Sequence, residues 1–191
     1  MWPYWVLFLV PAFLAAVAPG VVKANTPKER WPLVWRATFF LLCLIMGLRH
    51  DVGGDWEPYK TALEAASQIS LFEMLEIRLP FNDPAYGLIE WVGARWGGSY
   101  LVNTFGAIVL SWGLVVFCRA QPRPWLALVV AVPYLIMVLG MGYTRQGISV
   151  GLEMVGLIAL ENKRIMSFIA YVVLAASFHK SSVILVPLAV S

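Results

Sequence analysis

The sequence predicts an all-α fold, a polytopic transmembrane helix bundle with one long extracytoplasmic loop that contains amphipathic helices. Three observations predict it. Hydrophobic residues make up 60% of the 191 and charged residues only 13%, against roughly 25% charged in soluble domains. The apolar residues fall in runs approaching the ~20 needed to cross ~30 Å of hydrocarbon. The short turns between runs are basic, whereas one long interruption, residues 49–98, is acidic.

The first span, about 4–22, carries no charge before Lys23. Its start, "MWPYW", lacks the basic opening of a secretory signal, and Pro19 follows the best cleavage site. An uncleaved helix is therefore expected, kinked near Pro11, with Trp2, Tyr4 and Trp5 anchored at the interface. The second span is about 31–48, with Arg36 snorkelling at its entry end. The third runs about 99–118, between Arg95 and Arg119. The fourth, about 125–142, lies between Arg123 and Arg145, the fifth covers about 146–160 and the sixth about 165–178. The final apolar run, 181–191, reaches only ~16 Å at ~1.5 Å per residue. The whole is expected to be a single integral membrane domain and a fragment of a longer chain.

Lys and Arg in short loops orient the bundle. Lys23, Lys28, Arg30 and Arg36, then Arg119 and Arg123, then Lys163 and Arg164 all fall on one side if each span crosses once. That side is cytoplasmic, which leaves the N-terminus and the 49–98 loop outside. The loop holds four basic and eight acidic residues, a net of −4. Gly53 and Gly54 break any helix, and Pro58 can open a new one. "EPYKTALEAASQ" and "SLFEMLEIRL" have helical spacing, the latter with Phe72, Leu75 and Leu79 on one face. "PFNDPAYG" reads as a turn, and "AYGLIEWVGARW" restarts a helix. Cys43 and Cys118 lie in apolar runs and read as small buried hydrophobes. No basic cluster suggests nucleic acid.

This topology collects polar residues at the outer ends of the spans. Arg49, His50, Asp51 and Asp55 follow the second, Arg145 and Gln146 open the fifth, and His179 and Lys180 close the sixth. Singly, a basic residue at a span end is usually an anchor. Together on one face they read as an outward-facing site. Glu153, mid-span, is costly at bilayer depth and normally faces the bundle interior, where it can bridge helices.

"RHDVGGDWEPY", "DPAYGLIE", "YTRQGISVGL" and "FHKSSVI", in that order, resemble the EpsG family of Wzy-like polysaccharide polymerases. The likeness covers about residues 40–191. It implies a multi-pass protein of the bacterial inner membrane. There a glycosyltransferase would join undecaprenyl-diphosphate-linked oligosaccharides at the outer leaflet, in exopolysaccharide, capsule or O-antigen synthesis. It also implies a flippase and a chain-length regulator as partners beside the lipid bilayer. A leaving diphosphate gathers negative charge, which Arg forks stabilise. Arg49 and Arg145 are the expected ligands, with Lys180 a third. The acceptor hydroxyl needs a base, expected to be Asp55, with His50 or His179 next. Gln146 and Tyr59 would orient sugar hydroxyls, and Trp56 would stack on a sugar face. No cofactor is implied, and Asp51 with Asp55 is too thin a basis for a metal.

Two other functions fit a bundle of this composition. A lipid-linked sugar flippase needs polar residues through the bilayer depth, where Glu153 stands out. An assembly subunit needs only a docking loop. A rhomboid-type protease is disfavoured, because Ser149 in "GISVG" and His179 lack the usual mid-membrane pairing. In a background with Cys43 and Cys118 replaced by Ala, Ser70→Cys should react with a membrane-impermeant thiol reagent in intact spheroplasts and Pro27→Cys should not. The reverse pattern would invert the topology.

Overall fold

A computed structural model describes residues 2–17, 31–54, 56–78 and 83–189. Every element among them is helical. In order these are α1 (Trp2–Val17), α2 (Leu33–Gly47), α3 (Trp56–Gln68), α4 (Leu71–Arg78), α5 (Pro84–Trp96), α6 (Gly98–Ala120) and α7 (Pro124–Ala131). A π-helix follows (Val132–Gly140), then α8 (Thr144–Glu161), α9 (Ile165–Phe178) and a 3₁₀ helix (Lys180–Ala189).

The expected spans survive as helices, with different lengths. Among the described residues, only α6 is long and apolar enough to cross a membrane by length and composition. α2 has 15 residues, which at ~1.5 Å each reach only ~22 Å. α1 runs through Pro11 and ends at Val17; the rest of the expected first span, 18–22, lies outside the described residues. The fourth span is not one regular helix. It loosens into the π-helix at Val132, beside Pro133, which has no N–H for the ladder. The last apolar run is wound as a 3₁₀ helix containing Pro187.

α6 is the central post, and α8 runs beside it in the same direction. Glycine sets how closely they approach. A Cβ on Gly113 would overlap the carbonyl of Gly151, and one on Gly151 would lie 2.7 Å from the Val109 oxygen and 2.8 Å from the Leu110 Cα. Higher up, a Cβ on Gly106 would meet the Thr144 methyl at 2.6 Å. Small residues at seven-residue spacing thus let the two backbones touch, as in membrane helix pairs. α2 uses the same device, since a Cβ on Gly47 would lie 3.0 Å from the Thr104 Cα. α1 packs on α7, with Leu7 buried among Leu42, Leu128, Val132 and Ile136.

The two ends of the bundle differ in their residues. Trp35 and Trp125 stack at 4.2 Å near one end, where Arg119 lies 5.8 Å over Trp31. The other end gathers residues 49–54, 83–86, 143–146 and 178–180, and α3, α4 and α5 form a cap there. The cap is self-supporting. Ser70 and Glu73 make a reciprocal capping box, with Ser70 N–H donating to Glu73 Oε2 at 2.7 Å and Glu73 N–H to Ser70 Oγ at 3.3 Å. Arg95 lies 3.7 Å over the Trp91 ring and donates to the carbonyls of Ala66 and Ile69. α4 departs from its expected face: Met74 is buried and Phe72 is 72% exposed. α4 meets α5 through Met74, and Leu79 lies outside the described residues.

Gly151→Ala should lower the unfolding midpoint in detergent by the equivalent of about 2–3 kcal/mol, as overpacking against backbone does. Gly147→Ala, one turn away, meets nothing closer than Leu110 Cδ2 at 3.5 Å. It should be neutral or stabilising by up to about 1 kcal/mol. Equal effects at the two positions would contradict the backbone contact.

Candidate active site

The loop after α2 enters the bundle at Arg49. This side chain is 5% exposed, and both of its terminal nitrogens donate to protein acceptors. Nη1 donates to the Gly140 carbonyl at 2.6 Å, and Nη2 donates to Asn103 Oδ1 at 3.0 Å and to Thr144 Oγ1. Thr144 in turn donates to Asn103 Oδ1 at 3.1 Å. Nε is buried with no partner. One cation therefore ties the end of α2 to α6, α8 and the end of the π-helix. Burial pulls its pKa down while the nearby phenols of Tyr59 and Tyr86 push it up. Guanidinium stays charged through such shifts.

Gly53 completes the docking of this loop. At φ +106 it takes a conformation costly for other residues, and a Cβ there would sit 2.7 Å from both the Gly142 Cα and the Met141 carbonyl. The loop therefore lies flat on the break between the π-helix and α8. Asp51, with φ 49, points its residue outward and is exposed.

The first turn of α8 carries Arg145, and its partner is Asp83, 62 residues earlier. Asp83 precedes α5 at a position that usually caps a helix, yet its side chain makes no capping bond. It adopts a left-handed φ of 53 and sends its carboxylate elsewhere. Oδ1 accepts the Lys180 backbone N–H at 3.0 Å, and Oδ2 accepts Arg145 Nη1 at 3.2 Å. His179 Nδ1 approaches the same Oδ2 to 4.0 Å. Asp83 is 6% exposed and Arg145 38%, so the pair is half in water. Arg145 also lies 5.9 Å over the Tyr86 ring. Tyr86 is fully buried with an unpartnered hydroxyl. Burial first, then the neighbouring Glu90 and Tyr59, raise its phenol well above the usual value, against the pull of Arg145 and Arg49.

A third group stands apart. His50 Nδ1 is 2.9 Å from the Tyr100 hydroxyl, with Tyr100 on the first turn of α6. The His50 ring is 5.4 Å from Trp56 and 6.0 Å from Tyr100. Tyr59 packs at 5.9 Å from Tyr86, joining α3 to α5. Gln146 is half-buried behind Arg145, and the Lys180 side chain is exposed. Asp55 lies outside the described residues.

The structure therefore brings Arg145, His179 and the backbone N–H of Lys180 to one carboxylate, holds Arg49 beside Thr144 at the start of the same α8, and sets His50 with Trp56 in an aromatic group of its own. Reasoning from sequence missed Asp83, Asn103, Thr144 and Tyr100. Asp83 and Tyr86 lay inside "DPAYG", but a turn motif gives no sign that its Asp is buried. Glu153, by contrast, is occupied within the bundle. Ser149 donates to its Oε1 at 3.1 Å and also bonds Ser182 of the 3₁₀ helix.

These geometries separate two arginines that look alike in sequence. Arg49→Lys forfeits most of a buried fork and should destabilise the protein by about 1–3 kcal/mol. Arg145→Lys, at a half-exposed pair, should cost less than about 1 kcal/mol. Unfolding midpoints in detergent would compare them, and equal loss at both sites would refute the distinction.

A model of the EpsG family matches residues 33–190 of the chain. No curated protein and no solved structure matches it.

Proposed function

The chain belongs to the EpsG family, a membrane-protein family related to exopolysaccharide, and on that premise we propose that it is a polysaccharide polymerase. It would be a multi-pass bundle in the bacterial inner membrane with its N-terminus outside. It would join undecaprenyl-diphosphate-linked oligosaccharides at the outer leaflet. The observation that carries this reading is the convergence of Arg145, His179, Lys180 and Arg49 at the end of the bundle away from the basic turns.

The chemistry of that end suits a diphosphate leaving group. Arg145 stands in the first turn of α8, a turn with no acidic residue. A helix N-terminus already favours an anion by about 0.3–1 kcal/mol. Arg145 adds a half-exposed guanidinium, one N–H of which Asp83 engages. Arg49 contributes its field from below, where low polarity weakens screening. Its role in this reading is to hold the loop and α8 together rather than to touch phosphate. The donor sugar C1–O bond breaks with its electron pair leaving on the diphosphate, while the acceptor oxygen bonds to C1. In this reading Trp56 with His50 and Tyr100 would offer a ring surface for a sugar face, and Gln146 and Tyr59 would orient hydroxyls. Asp55, His50 and His179 are the candidates for the base.

In cells lacking the native gene, Arg145→Lys should cut long-chain glycan roughly 10- to 150-fold. That range corresponds to losing a charge-assisted bond of about 1.5–3 kcal/mol made chiefly in the transition state. Protein abundance, followed by immunoblot, should stay unchanged. Single lipid-linked repeat units should collect at the outer leaflet, because export precedes joining. Units trapped on the cytoplasmic side would instead identify a flippase and end the polymerase reading.

A further inference from the structure

Asp83 lies buried where α5, α8 and the α9–3₁₀ junction meet, and its two oxygens face three groups from distant parts of the chain. Two of those contacts are hydrogen bonds; the third is to His179 Nδ1 at 4.0 Å. That nitrogen is buried and has no hydrogen-bond partner. A buried polar nitrogen without a partner is costly, and the facing oxygen is about 1 Å beyond hydrogen-bond length. Catalytic hydrogen bonds are often long before substrate binds.

We infer that Asp83 is a positioning residue for His179: its carboxylate holds the imidazole with the proton on Nδ1, which leaves Nε2 to take the proton of the acceptor sugar hydroxyl. The identity of that acceptor rests on the polymerase reading; the tautomer and the Asp83 contact do not. In the step, the acceptor O–H proton passes to Nε2 as the oxygen forms its bond to C1. The electron pair of the broken C1–O bond leaves on the diphosphate. The charge formed on the ring is then balanced by Asp83, which also holds Arg145 at the leaving group. One carboxylate thereby keeps the base and the anion ligand in register.

The local constraints agree. His179 ends α9, where its N–H donates to the Ala175 carbonyl at 2.9 Å and its carbonyl accepts the Ser182 N–H at 3.1 Å. The neighbouring Phe178 packs at 6.1 Å from Phe105 of α6. The backbone that carries the ring is thus pinned on both sides. Among the described residues, the titratable and charged groups near it include Asp83 before α5, Tyr86 on α5, Arg145 on α8 and the adjacent Lys180 of the 3₁₀ helix. His50 is engaged by Tyr100 and Trp56 instead.

The chain holds two histidines, so ¹⁵N-histidine NMR of the detergent-solubilised protein gives two imidazoles, assigned with His50→Asn. In the unmodified protein His179 should show the tautomer protonated at Nδ1. Protonation at Nε2 would overturn the inference without need of any Asp83 variant. Asp83→Asn should weaken the preference of His179 for the tautomer protonated at Nδ1, since an amide can turn an N–H as well as an oxygen to the ring. It should also slow polymer formation from purified lipid-linked repeat units by at least about 100-fold, the low end for a general base. Asp83→Glu should recover part of the rate and of the Nδ1 tautomer. Polymer formation at the wild-type rate with the tautomer unchanged in Asp83→Asn would refute the inference. No polymer from the wild type, with the NMR result intact, would refute the polymerase reading alone.

Discussion

The backbone contact between α6 and α8 is the constraint on which the rest of this structure depends. Gly113 and Gly151 meet with no side chain between them, and Gly106 receives Thr144 one heptad higher. Because the two helices run in the same direction, closeness at the middle carries through to the end. There Thr144 reaches Asn103 at 3.1 Å, and both are within range of Arg49. With a larger residue in the stripe, the helices would stand farther apart and the shared acceptors would separate. Packing of small residues thus governs a polar site more than two turns away.

At that end, electrostatics is arranged in two layers. The lower layer is Arg49, a buried cation that donates to the neutral oxygens of Gly140, Asn103 and Thr144. Taking a cation out of water costs several kcal/mol unless its donors are satisfied, and here three bonds bring together α2, α6, α8 and the π-helix. The upper layer is the Asp83–Arg145 pair, half in water at the start of α8. Asp83 keeps these charges from repelling one another.

The break before α8 belongs to the same design. The π-helix ends at Gly140, whose carbonyl accepts Arg49, and Gly53 seats its backbone on Met141 and Gly142. The interruption after the fourth apolar run is therefore covered by the loop that follows the second. Glu153 forms a separate polar bridge deeper down, between α8 and the 3₁₀ helix through Ser149 and Ser182. Its carboxylate is engaged in packing helices, as a costly mid-span group generally is.

Helix positions and the two unlike ends were legible in the sequence, because both follow from local pattern: apolar runs, basic turns and the Gly-Gly interruption. The runs around α6, α8 and α9 match their helices within a few residues. The pattern was misleading where backbone geometry departs from a regular helix, as after Pro133, and where α4 turned Met74 inward rather than Phe72. The candidate site was legible as a set of residues on one face, without their roles. Arg49 and Arg145 are the same residue type at equivalent span ends. Only the tertiary structure directs one fork inward to Asn103 and Thr144 and leaves the other half in water beside Asp83. Asp83 itself gains its meaning from partners 62 and 97 residues away. Sequence by itself determined which segments are helical and which ends are polar, since these depend on near neighbours and solvent. Tertiary structure alone decided which donors are consumed and which remain available, because that depends on distances that glycine contacts between remote helices bring about.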